Sequence, residues 1–232
     1  MTLPNEEVMD LLSDRFVLAT RNIEREKHVG MSHGYRCDQT AVGTTNGAGG
    51  RNVQMIVMTT DETVLHVLPG FWHAEDLLPE LRLALDVYTL HADENASPER
   101  KVAMFRTLHR VHLKRHGDGE AERGAWQGFD QWHELSRAQT ERRDTVVTGA
   151  DGKPRLLPIP EVVHARMMER PFKKLAAFDL DSFVDYGRPF YDNNQGVDEG
   201  KRFPAAEHSN EKREREQQKA DRAAERAAKA KP

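Results

Sequence analysis

Residues 107–116, TLHRVHLKRH, place three imidazoles at intervals that a helix would line up. His109, His112 and His116 stand at i, i+3 and i+7, so an α-helix carries them on roughly one face. His133 lies on the next helical stretch and would approach them if the two helices packed antiparallel. Imidazoles from one helix joined by one from a neighbour would make a divalent-metal geometry. The signature His-Glu-x-x-His is absent, and no carboxylate or cysteine stands at a recognised ligand spacing. Phe105 and Leu108 flank the histidines, which gives a competing reading: imidazoles that border a core. The expectation is that no cofactor is required, with a divalent metal on His109, His112 and His116 as the alternative.

A second candidate lies in YRCDQTAVGTTNGAGGRN, residues 35–52, which holds the chain's one cysteine, Cys37. Arg36 and His33 would lower a thiol pKa by stabilising the thiolate. Cys37 with His33 would then form a single-cysteine redox or sensor site. The competing reading is an ordinary loop side chain, since a nucleophile needs a positioned base and none is evident. Gly43, Gly47, Gly49 and Gly50 do not have the phosphate-loop spacing, no Lys-Ser/Thr pair follows them, and they precede a strand rather than a helix. They read as a loop.

The chain has 232 residues and a formal net charge of -4, which argues against a globally basic nucleic-acid binder. The basic run Arg100, Lys101, Arg106, Arg110, Lys114 and Arg115 reads as a solvated helix face. One cysteine excludes an internal disulfide and a four-cysteine zinc site, and it fits a reducing cytoplasm. The first residues, MTLPNEEVMDLLSDRF, do not read as a secretory signal, and no window is apolar enough to span a membrane. The acids Asp179, Asp181, Asp185 and Asp192 are too scattered for a calcium loop.

The elements follow from caps and periodicity. Asn5 caps a first helix whose Val8, Leu11 and Leu12 share a face. Phe16–Ile23 reads as a strand and 24–52 as a long loop. Val53–Met58 and Val64–Leu68 flank the turn TTDET and read as a hairpin. After Pro69-Gly70 a helix from about His73 carries the stripe Leu77, Leu81 and Leu85. Ser97-Pro98-Glu99 starts a helix that runs to about His116, where Gly117 ends it. One helix is predicted over Glu120–Arg142, with Trp126, Phe129 and His133 forming the seam against its neighbour. A small hairpin spans Val146–Leu157, and a short helix spans Glu161–Glu169. Residues 171–203 read as an irregular wrapping segment with aromatic anchors, and the charged end as a helical or disordered tail.

EEVMDLLSDRFVLATRNIERE and VQMIVMTTDETVLHVLPGFWHAEDLLPEL together resemble the thioredoxin-like fold family. There a helix leads into a strand and an acidic stretch, and the closing half runs strand, turn, strand, Pro-Gly-aromatic junction, helix. The resemblance covers residues 5–90. It lacks the family's Cys-x-x-Cys motif and first strand, and Gly49-Gly50-Arg51-Asn52 stands where the family has a cis-proline. The fold is abbreviated, another element fills that edge, or residues upstream complete it. The resemblance implies the fold and not the dithiol chemistry.

The expected architecture is α/β or α+β. A partial thioredoxin-like unit would occupy 1–92, a helical extension with a small hairpin 93–203, and a flexible charged tail 204–232. The implied function is a redox-inactive binding or accessory module for a protein partner, leaning away from an enzyme. The alternatives are a redox or sensor protein using Cys37 and a metal-binding protein using the helix histidines.

Overall fold

The computed structural model describes residues 2–23, 53–124, 126 and 128–184, with the backbone alone at 128–130, 132 and 133. Within them the fold mixes helices with two small antiparallel hairpins. Helix α1 (Glu6–Arg15) starts where Asn5 Oδ1 accepts the Val8 N–H at 3.2 Å. Glu6 and Glu7 sit at its positive end, and Val8 and Leu12 are buried. The strand predicted at Phe16–Ile23 does not form, and Val17 is fully exposed. β-branched and aromatic residues favour a strand only where a partner takes their backbone bonds and a face is covered. No described segment pairs with this one.

Strands β1 (Gln54–Met58) and β2 (Val64–Pro69) form the first hairpin, with Ile56 opposite Val67. β2 is buried at every residue, so its sequence lacks the alternation of a half-exposed strand. Gly70 adopts φ 75° and donates its N–H to Val53 O at 2.7 Å, a turn that a side chain would strain. Trp72 is buried just beyond it and donates Nε1–H to Pro69 O at 3.0 Å.

Helix α2 (Ala74–Ala92) buries Leu77, Leu81, Ala84 and Val87 on one stripe. Pro79 sits in its second turn on the exposed side, where the carbonyl it leaves unpaired is tolerable. Helix α3 (Pro98–Leu113) starts on Ser97, whose Oγ accepts the Arg100 N–H at 3.3 Å. It ends at Leu113 rather than His116, and the chain turns into α4 (Asp118–Arg123). The basic face of α3 is partly structural, since Lys101 Nζ donates to His91 O at 2.6 Å and Arg106 Nε to Met168 O at 3.1 Å.

The single helix predicted over Glu120–Arg142 is two, α4 and α5 (Gly128–Arg137). Gly124 makes the break. Its carbonyl accepts the Ile159 N–H at 2.9 Å, and a Cβ on it would meet Pro160 Cδ at 2.6 Å. Trp126 lies in the break and donates Nε1–H to Leu157 O at 2.6 Å, so it fastens the second hairpin instead of forming a helix seam. The side chains of Phe129 and His133 are outside the described residues. β3 (Val146–Thr148) and β4 (Pro154–Leu156) form that hairpin.

Helix α6 (Ile159–Met168) buries Val162, Val163, His164 and Met167. A 3-10 turn at Leu175–Ala177 and α7 (Leu180–Phe183) follow, with Phe178 and Phe183 buried as anchors. The rest of the wrapping segment and the charged tail fall outside the described residues, as does the 24–52 loop. β2 packs on both α2 and α6, and α3 packs on the same two helices. These four elements enclose one interior, which is where the titratable side chains meet. Of the elements expected over residues 1–92, α1, the hairpin and α2 form in that order and the strand after α1 does not.

Candidate metal centre

Glu80 projects from α2 between Leu77 and Leu81 and is completely buried. Its Oε1 faces three imidazoles: His164 Nε2 at 3.0 Å, His112 Nε2 at 3.2 Å and His116 Nε2 at 3.6 Å. One ligand atom from each of the four residues falls within 4.8 Å of every other. His164 comes from the middle of α6, His112 from the last turn of α3, and His116 from the turn into α4. A tetrahedral ion bound at about 2.0–2.1 Å sets its donors about 3.3 Å apart, the scale of the Glu80–imidazole distances. The cluster can hold a metal.

A second layer orients these groups. His66, buried in the middle of β2, donates Nε2–H to Glu80 Oε2 at 2.7 Å. His109 Nδ1 and His164 Nδ1 share a hydrogen bond at 2.8 Å. The rings of His109 and Phe105 pack with centroids 4.5 Å apart.

The predicted trio therefore divides. His112 and His116 converge with Glu80 and His164, while His109 stands behind His164. Residues i and i+7 lie about 10 Å apart along a helix axis, too far to share one ion, whereas i and i+4 are neighbours. Glu80 and His164 are ligand candidates that spacing did not reveal. Each leaves a different signal: a carboxylate inside an apolar helical stripe, and a histidine within VVHARMM. His66 is likewise the one polar residue in VLHVLP. Cys37 and His33 lie outside the described residues.

Burial and charge set the protonation of the cluster. Burial pushes Glu80 up, but the charge of His164 and the close approach of the His112, His164 and His66 rings outweigh it and hold the carboxyl well below its ordinary range. Burial pushes His66 and His109 below the ordinary imidazole value, and it pushes His116 down to about 4. The result is an anionic carboxylate near three rings, those of His66, His109 and His116, that burial disposes to the neutral form. His112 Nε2 and His116 Nε2 are buried and lie 3.2 Å from Glu80 Oε1 and Glu120 Oε1, respectively, without being aligned for a hydrogen bond.

On one side the cluster meets Glu120, whose Oε1 lies 3.2 Å from His116 Nε2. Burial, with Asp76 and Glu80 nearby, pushes Glu120 up to about 7. His116 and Glu120 line a cavity of about 460 Å³ whose wall includes Arg110, Lys114, Pro160 and Glu161. Arg123 fastens α4 against α2 through two hydrogen bonds to Asp76, at 2.8 and 2.5 Å. This holds Glu120 in place over the centre.

Comparison with family models, with curated proteins and with solved structures finds no match for the chain. Among the described residues no helix is long and apolar enough to cross a membrane.

Proposed function

We propose that this protein binds one divalent first-row transition-metal ion per chain through Glu80, His112, His116 and His164. The observation that carries the reading is the convergence of His112 Nε2, His116 Nε2 and His164 Nε2 on the buried Glu80 carboxylate, with the first two buried and not aligned to hydrogen-bond the carboxylates beside them. A purely structural network closes its hydrogen bonds, because each buried polar atom left open costs about 1–3 kcal/mol. An ion that accepts both lone pairs and neutralises Glu80 removes those costs together. Three imidazoles and a carboxylate, without thiolate, suit zinc, iron, nickel, copper or manganese rather than calcium or magnesium. In the loaded state His164 Nε2 faces the ion and its Nδ1–H donates to His109, the outer-layer pattern usual for a ligating histidine.

The test is elemental analysis of the full chain as purified, followed by reloading with zinc or cobalt after chelation. One ion per chain is expected, and His112→Ala or His164→Ala loses it. Protein that holds no metal and takes up none in equilibrium dialysis ends the reading.

A second reading treats the thioredoxin-like unit as a redox-inactive docking module for a protein partner. The order of α1, the first hairpin and α2 supports it. It predicts that a partner retained by the full chain is retained equally by Cys37→Ser, and loss of the partner in that variant would overturn it.

A further inference from the structure

The cluster is closed on one side and reachable on the other. Glu80 and His164 have no exposed surface, whereas His112, His116 and Glu120 keep 11%, 12% and 14% of theirs. His116 and Glu120 also form part of the cavity wall. At about 460 Å³ the cavity falls within the size range of small-molecule sites, about 300–1,000 Å³. Glu120 is a second carboxylate that touches a ligand candidate without belonging to the converging four. A structural metal site is shut on all sides by its protein ligands, and a catalytic one keeps a position for water or substrate.

Resting on the metal reading above, we propose that the centre is open. With four protein donors in place, the ion takes a fifth coordination position turned into the cavity, where a water would sit until a small anionic donor of a substrate displaces it. Glu120 is the positioning residue for that position and accepts a hydrogen bond from the water. The remainder of the wall carries both signs, with Arg110 and Lys114 against Asp118 and Glu161, so the ion is the anchor for the incoming group. The substrate class that follows is a small molecule with a monodentate anionic donor, such as a carboxylate, bound end-on to the metal.

The experiment uses the full chain loaded with cobalt(II), whose visible bands report coordination, and azide as the probe. The expected result is one cobalt per chain and a saturable change in the bands as azide binds, with the cobalt retained on dialysis. In a buffer alkaline enough to ionise Glu120, Glu120→Gln is expected to keep the cobalt stoichiometry and to bind azide about 5-fold more tightly. That is the order expected when one unit charge about 4 Å from the anion is removed in a water-like medium. Bands that azide does not move on a fully loaded protein overturn the open position and leave the metal reading standing. Cobalt stripped out by azide overturns it as well. Failure to bind cobalt at all overturns both. An azide affinity unchanged by Glu120→Gln removes Glu120 from the role. The titration of the unsubstituted protein decides the open position even if that variant does not fold.

Discussion

Glu80 is a single carboxylate serving both layers of the cluster, and its substitution separates them. In the metal-free chain it accepts hydrogen bonds from His66 and His164 and has no exposed surface of its own. Glu80→Ala strands both donors. Breaking a buried charged hydrogen-bond set by removing one partner costs about 3–5 kcal/mol, and urea denaturation of chelated protein should read a loss of that size. A loss under about 1 kcal/mol would mean that the rings find other partners. His66 acts only through Glu80, so His66→Ala should weaken metal binding about 10–100-fold while the stoichiometry stays at one. A competition assay with a chromophoric chelator reads this, and a complete loss of the site would place His66 among the ligands. At this scale the sequence was half legible. His112 and His116 were visible as members of an i, i+3, i+7 pattern with His109, although α3 stops at Leu113 and His116 reaches the site from the turn beyond it. Glu80 and His164 were not, because they stand 84 positions apart and only the packing of α2 on α6 brings them together. What could be read was their misplacement, a charge and an imidazole each lodged among apolar neighbours.

Helix α4 meets the start of α6 at Gly124, and this joint sets the position of one wall of the cavity. Gly124 has ordinary φ, so what it supplies is room: the Pro160 ring occupies the space of a Cβ. Gly124→Ala forces α4 away from the start of α6. It should cost about 1–3 kcal/mol, as overpacking does, measured by thermal or urea unfolding. It should also loosen the azide response, because Glu120 rides on α4. The other end of α6 is held by Arg166, which donates to both oxygens of Asp144 at 2.7 Å and to Phe183 O at 2.7 Å. Burial pushes Asp144 up, but the Arg166 hydrogen bond and charge outweigh it and hold the carboxyl below its ordinary value. The ionised form is therefore favoured by folding. Its contribution is fully present above the unfolded value of about 3.9 and is lost as pH falls through the lower folded value. Asp144 is half exposed, which limits the effect to about 1 kcal/mol. Asp144→Asn should lower the melting temperature at pH 7 and converge with the parent protein in acid, and a constant gap down to pH 2 would exclude this linkage. Element existence was legible where caps announce it, as at Asn5 and Ser97. The break at Gly124 was not, since a lone glycine in a helical pattern is ordinarily tolerated, and here the deciding contact is Pro160, 36 positions away. The strand expected at Phe16–Ile23 failed for the same reason in reverse: its residues suit a strand, and none of the described strands pairs with them.

The ion would join α2, the end of α3 and α6, segments that the chain otherwise connects through long intervening stretches. In the unfolded chain Glu80, His112, His116 and His164 are dispersed, so the native state binds metal far better than the unfolded one. Mass action then turns affinity into stability, about 2.7 kcal/mol when free metal stands at 100 times the dissociation constant. For a domain of this size each kcal/mol moves the melting temperature by about 2–4 °C, which makes the expected rise about 5–10 °C. The rise should grow with the logarithm of metal concentration, vanish on chelation, and be absent in His164→Ala. His109→Ala is the discriminating control. It removes the outer hydrogen bond on His164 and lowers the starting stability, yet it leaves all four converging donors, so a reduced but definite rise should persist. Equal rises in the parent and in His164→Ala would trace the stabilisation to metal bound elsewhere on the chain. The same pair of variants explains why the sequence pointed to this region without resolving it. The histidines at the end of α3 and in the turn after it mark the wall of the site, and the remaining donor, the carboxylate and the cavity are properties of how α2, α3, α4 and α6 close around one another.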